Sequence, residues 1–392
     1  MQKLATDDSV SHPKRRLLGA AAALLVLSSG VLAGPLVEVT YERASGEQTA
    51  RGEVFAEDQQ GGVCLLQDDG ALLLLQSDEV VSRTDLDEPF TPAGADEIEQ
   101  RLRDELGPGF DCYSTPHYVV AYSTSREYAR WLSSLLERLH KAFVSYWEKQ
   151  GLELTEPRFP LVVVVYADAA SYQKASADEL GGAGGIIGYY SLTTNRVSMY
   201  DLTGVEKRRA AAGGRTSMRD INRMVARPAV APLVATIVHE ATHQVAFNTG
   251  VMQRFADLSL WLVEGMAIYF EAPDLSSGRG WRGIGKVNYP RLQSFHRNAS
   301  GWNPEKMRRL VTDDRRMRDA GTAAAAYAEA WALNYFLIKQ RPDEYRSYLK
   351  QAAELKPFDE LPEGVRIRTF EQHFGPVDDL SRDFYRGMLR VD

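Results

Sequence analysis

The chain has 392 residues, of which 44% are hydrophobic and 25% charged, so it can bury a substantial core and is not a disordered polymer. A formal charge of −7 argues against a nucleic-acid-binding face, because phosphate recognition needs clustered Lys and Arg. A local basic run at Lys207 to Arg209 reads as a solvated loop, and the length sets a soft expectation of about two to three domains.

In chain order, Lys14, Arg15 and Arg16 precede an apolar run from Leu17 through Leu27, and small residues follow up to Val31-Leu32-Ala33-Gly34. This pattern predicts a signal peptide over residues 1–33. The alternative is an uncleaved anchor, since Leu17 to Val37 is free of charge and long enough to span a bilayer. Both readings export the remainder, to the periplasm, the cell envelope or the medium. No Cys ends the apolar run to take a lipid, and no second membrane-length stretch follows. Cys64 and Cys112 both lie beyond the export signal, where an oxidising compartment would permit a bridge; two buried thiols are the alternative. Two Cys cannot build a four-thiolate zinc site, so a metal here has to use imidazole and carboxylate.

Short alternating segments come next: Val37, Val39 and Tyr41, then Val54-Phe55, Val63 to Leu66, and Leu72 to Leu75, with Gly61-Gly62 and Asp69-Gly70 as turn signals. They predict a small antiparallel β module over residues 35–88, barrel-like, with no cluster of reactive side chains. Glu88 to Gly94 reads as a linker into a short polar helix ending near Gly107-Pro108, which puts a boundary near residue 90.

Helix and strand then alternate. Tyr118 to Tyr122 is strand-like. Tyr128, Trp131, Leu132, Leu135, Leu136, Leu139, Phe143, Tyr146 and Trp147 keep helical spacing, a core stripe with His140 adjoining it. Leu161 to Tyr166 reads as a buried strand, and Ile186 to Ser191 with Arg196 to Tyr200 as a hairpin turning at Thr193-Thr194-Asn195. The glycine run 181–185 lacks the Lys-Ser/Thr ending of a phosphate loop and reads as a connection. Helices follow at Leu233 to Asn248, Ser259 to Glu271, Ala323 to Lys339, Asp343 to Leu355 and Val377 to Leu389. The fold class is α+β: a small β module, a mixed-sheet half and a helical half.

The chemistry concentrates in His239-Glu240-Ala241-Thr242-His243, an H-E-x-x-H motif in a helical segment. Positions four apart on a helix differ by about 40°, so both imidazoles project from one face and can share an ion. Glu240 sits about 100° round from His239, placed to take a proton from an attacking water instead of ligating. A catalytic zinc generally uses three protein ligands, and Glu264 supplies the third from the apolar segment Trp261 to Phe270, where an unpaired carboxylate would be costly to bury. Asp257 is expected to cap that helix and Gly265 to permit close approach beside the metal. Glu271 reads as a solvated helix end, with orientation of a ligand as the alternative.

The wording His239-Glu240-Ala241-Thr242-His243-Gln244 with Asn248, followed by Trp261-Leu262-Val263-Glu264-Gly265-Met266-Ala267, resembles the gluzincin signature and its aminopeptidase N branch. It is more similar still to bacterial exported domains of unknown function in the peptidase-MA-like clan, whose later helix Tyr327-Ala328-Glu329-Ala330-Trp331-Ala332-Leu333 matches. The resemblance covers roughly His117 to the C-terminus and implies a metallopeptidase domain over residues 110–392, Zn2+, peptide hydrolysis and a sheet edge beside the cleft, a role open to the Ile186 to Tyr200 hairpin. It also implies that Tyr327 donates to the oxyanion; helix packing is the alternative. His296 is a second candidate donor. No Gly-x-Met-Glu-Asn segment is present, so aminopeptidase specificity is not implied.

The expected function is therefore that of an exported zinc metallopeptidase acting on a peptide or protein, with His239, His243 and Glu264 on the metal and Glu240 as general base. Neither nucleic acid nor any membrane beyond the N-terminal segment is an expected partner. The rival expectations are an exported binding or scaffold protein that retains a zinc site, and hydrolysis of a non-peptide amide or ester.

Overall fold

The computed structural model describes residues 35–181, 186–204, 211–272, 275 and 282–392. The expected signal peptide, the basic run at 207–209 and glycines 182, 184 and 185 lie outside the described residues.

Two five-stranded sheets and a helical C-terminal half make up the fold. The first sheet comprises β1 (Pro35–Arg43), β2 (Gly46–Glu57), β3 (Val63–Leu66), β4 (Leu72–Leu75) and β5 (Val80–Pro89), ordered β4-β3-β2-β1-β5 with every pairing antiparallel. Val37, Val39 and Tyr41 are buried at every second position of β1, as strand geometry requires. The sheet is open, not barrel-like: β4 is four residues long, and β5 carries exposed Arg83, Asp85, Asp87 and Glu88, charges that keep an edge strand from pairing further. The same exposure hid the end of β5 from the hydrophobic pattern, and the strand runs through Pro89 into what reads as linker.

The second sheet orders β6 (Asp111–Ser114), β7 (Tyr118–Tyr122), β8 (Leu161–Tyr166), β10 (Arg196–Tyr200) and β9 (Gly188–Tyr190) as β6-β7-β8-β10-β9. β7, β8 and β10 run parallel, and the outer pairs are antiparallel. Parallel neighbours need a crossover, which the long helix Arg126–Lys149 supplies between β7 and β8. Ser125 caps that helix, accepting from the Tyr128 amide at 3.3 Å. The Leu161 to Val165 side chains are buried because both faces of β8 are covered. Val162 and Val164 pack with Ile98 and Leu102 of the helix Ala95–Leu106, while Val163 and Val165 join the main core with the long helix.

The five helices expected in the C-terminal half are present at Ala231–Asn248, Leu260–Phe270, Ala323–Gln340, Pro342–Ala353 and Val377–Met388. Among the described residues five more, Met218–Val225, Tyr289–Asn298, Pro304–Thr312, Arg315–Arg318 and Val365–Phe374, escape the sequence pattern because each is short. Their start signals were legible: Ser217, Asn288 and Asn303 cap three of them, two with Pro in the first turn. Among the described residues no single helix is long and apolar enough to cross a membrane.

Cys64 and Cys112 are free, on β3 and β6 of different sheets, so they form no bridge. Burial pushes their thiols up to about 12 and about 11. Asp257 does not cap Leu260–Phe270, whose N-cap is Ser259; its carboxylate instead holds Arg366 and accepts from the Leu361 amide at 2.9 Å.

Candidate metal centre

The helix Ala231–Asn248 begins with Pro in its first turn and is buried from Ile237 to Ala246 on every side, the pattern of a core helix. Gln244 fastens it to the second sheet, donating from Nε2 to the carbonyls of Val162 at 3.0 Å and Asn195 at 2.9 Å. Asn248 and Asn195 pair their amides at 2.7 and 2.9 Å, and Asn195 turns the hairpin with φ of 58°. The motif helix is thereby set against β8 and the β9–β10 turn.

Leu260–Phe270 returns against the motif helix and is itself clamped by Ala323–Gln340. Gly265 makes this approach possible, but against that helix and not beside a metal as expected: a Cβ here would lie 2.0 Å from Asn334 Nδ2 and 2.5 Å from the Ala330 carbonyl oxygen. Asn334 donates to the carbonyls of Trp261 at 2.8 Å and Ala330 at 2.9 Å, so the two helices are locked one turn from Glu264.

These contacts bring the three expected ligands together. His239 Nε2 stands 3.1 Å from Glu264 Oε2 and 3.1 Å from His243 Nε2, and His243 Nε2 is 3.9 Å from Glu264 Oε2. A triangle with these sides has a point about 2.0 Å from all three corners, the bond length zinc makes to imidazole and carboxylate. His239, His243 and Glu264 are no more than 2% exposed, and Glu264 Oε1 is buried with no hydrogen-bond partner. Such a carboxylate needs a cation. The residues therefore fit a divalent metal.

The side chain of Glu271 meets His239 from behind, contrary to the solvated helix end expected of it: Oε2 lies 3.3 Å from His239 Nδ1, and Oε1 accepts from Asn288 Nδ2 at 3.4 Å. A carboxylate on Nδ1 fixes that nitrogen as donor and leaves Nε2 to face the ligand cluster. Burial opposes charge on His239, yet its hydrogen bonds to the Glu264 and Glu271 carboxylates prevail and pull its pKa up to about 10, so without metal the cluster recruits a proton. Burial, with the charge of His239, drives His243 well below the usual imidazole range.

Glu240 stays out of the ligand triad, as its helical offset predicts. Its Oε2 accepts from the Tyr190 amide on β9 at 3.0 Å, so the edge strand of the sheet touches the acid directly. Burial pushes Glu240 up to about 8 despite the opposing pull of His239, and a divalent ion nearby would bring it back down.

Tyr327 is 5% exposed; burial first, then the charges of Glu264 and Glu240, hold its hydroxyl far above the ordinary phenol range, which places it beside the cluster. Arg291 lies with its guanidinium 5.8 Å from the Tyr327 ring centroid; burial opposes charge on Glu271, but its hydrogen bond to His239, the charge of His239 and then that of Arg291 lower its pKa. Neither Arg291 nor the Tyr190 amide carried a sequence signal, the first being one Arg among many and the second a backbone group. His296 is not brought to the cluster; its Nε2 meets the Met388 carbonyl at 3.1 Å.

A fold of two sheets and a helical half that buries a His-His-Glu group able to hold a metal ion defines the class of this protein at the level the geometry carries. Residues 233–359 match the family model described as "Protein of unknown function (DUF1570)", a span that holds all three ligands, Glu240 and Tyr327 but less than half of the chain. No curated protein matches the chain.

Proposed function

We propose that this protein is an exported zinc metallopeptidase of the gluzincin type. The observation that carries the reading is the separation of roles at one buried spot: three donors converge within bonding distance of a common point, while Glu240, buried and close enough to feel the charges of His239 and Glu264, stays outside that group. Structural zinc is usually closed by four protein ligands, whereas three leave a position for substrate or water. Zinc, when bound, would polarise a scissile carbonyl and lower the pKa of the attacking water. Glu240 accepts the proton from that water and passes it to the leaving amine. The Tyr190 amide supports the Glu240 carboxylate, and Tyr327, buried and close enough to feel the charges of Glu264 and Glu240, would donate to the developing oxyanion.

Purified protein should contain about one tightly held zinc at this centre. Glu240→Gln should retain that ion while hydrolysis of casein or a peptide library falls at least ~100-fold. Undiminished hydrolysis by the variant rejects the assignment.

One observation favours a second reading, an exported scaffold that keeps a zinc site: Glu240 and all three ligands are no more than 2% exposed, which protects an ion well but leaves little surface for a substrate to meet. Mass-spectrometric profiling of peptide mixtures, with and without chelator, separates the two. Zinc-loaded protein that cleaves nothing supports the scaffold.

A further inference from the structure

The turn before β7, the long helix Arg126–Lys149 and the loop before β8 meet at a second group of metal-ligating side chains. His117, His140 and Glu156 present one donor atom each, all within 4.8 Å of one another. His140 is 3% exposed, and its Nε2 is buried with no hydrogen-bond partner, an uncommon condition for an imidazole. His117 is held from behind by Glu137: its amide donates to Oε1 at 2.9 Å and its Nδ1 meets Oε2 at 2.7 Å. Its Nε2 faces outward, 3.6 Å from Glu156 Oε2.

We propose that His117, His140 and Glu156 bind a divalent transition ion of the zinc class at a second site, separate from the His239 cluster, with water completing its coordination. The carboxylate behind His117 is the partner that metal-ligating histidines characteristically carry on their second nitrogen. Glu137 and His140 lie three apart on the long helix and so share its face toward His117. An imidazole that remains neutral is the form that ligates, and burial drops His140 to about 4. The two rings stack, with centroids 4.1 Å apart and planes at 28°, so the imidazoles lie side by side at the group, and the His117 ring has to turn for both to share one ion. The Glu156 side chain is 79% exposed, which opens the remaining position to water. The site staples the crossover helix to the beginnings of β7 and β8, whose ends already meet through the Leu161 amide and the His117 carbonyl at 2.8 Å.

Chelator-stripped full-length protein, titrated with zinc chloride alone and followed by calorimetry and elemental analysis, should take two ions per chain. His117→Ala should take one. Glu156→Ala, a change in an exposed loop that leaves folding intact, should weaken the second binding event at least ~10-fold. His239→Ala/His243→Ala, checked for native circular dichroism, should still bind one ion, and this outcome does not depend on the peptidase reading. A His239→Ala/His243→Ala variant that binds no ion, or a wild-type stoichiometry that His117→Ala and Glu156→Ala leave unchanged, overturns the proposal.

Discussion

Three buried donor groups whose ligating atoms lie 3.1 to 3.9 Å apart need a proton or a metal ion between them, so His239, His243 and Glu264 set the character of the candidate centre. Glu271 extends that logic by one bond. Its carboxylate at His239 Nδ1 orients the ring and makes the facing nitrogen more basic toward a metal. Glu271→Gln should therefore weaken zinc binding about 10- to 100-fold without unfolding the chain, measured by competition with a chromophoric chelator. An unchanged affinity would show that the 3.3 Å contact does not steer the ligand. The candidate ligands and Glu240 are legible in the sequence because H-E-x-x-H converts directly into helical geometry, and a Glu inside an apolar helix asks for a partner. For Glu271 the sequence favours a solvated helix end over orientation of a ligand, because it closes its helix, and only the tertiary position of Asn288 and Arg291 reveals that this end is covered.

At the scale of elements, the centre depends on the distance between two apolar helices more than on either alone. Leu260–Phe270 is buried on all sides, so periodicity gave its existence and no preferred face; what sets its depth is Gly265 against Asn334 and Ala330. Gly265→Ala should destabilise the protein by about 3 kcal/mol in urea unfolding, because one of the two clashes is with a backbone oxygen that cannot turn aside. Pushing the helix outward also moves Glu264, so zinc affinity should fall with stability. Trimming Asn334 to Ala in the same chain removes one clash and should not restore either property. Full recovery would mean that the side chain alone limits the approach. Spacing and β-branching made the strands and long helices readable, whereas the short helices Tyr289–Asn298 and Val365–Phe374 are held by packing on neighbours that no local window contains.

Across the whole molecule, the first sheet is tied to the candidate centre through one buried cation. Arg254, on the segment leaving the motif helix, is 6% exposed and donates from Nη1 to the Gly70 carbonyl at 2.9 Å and the Leu192 carbonyl at 3.1 Å. Beside it, the Leu72 amide of β4 donates to the Thr193 carbonyl at 2.8 Å, so the Asp69-Gly70 turn is latched onto the hairpin whose outer strand touches Glu240. Sequence patterning gave the sheet but not this latch, because an isolated Arg after a helix carries no mark of what it will meet. Arg254→Met keeps most of the volume and leaves two buried carbonyls without their donor, at about 1–3 kcal/mol each, partly offset by relief of a desolvated charge. Hydrogen exchange should then quicken at the Leu72 amide and along β9 and β10, while amides of the motif helix, fastened through Gln244 to Val162, keep their protection. Exchange that rises evenly over the molecule would mean that Arg254 supports global packing; a change confined to the hairpin and the first sheet makes it the coupling between that sheet and the strand beside Glu240.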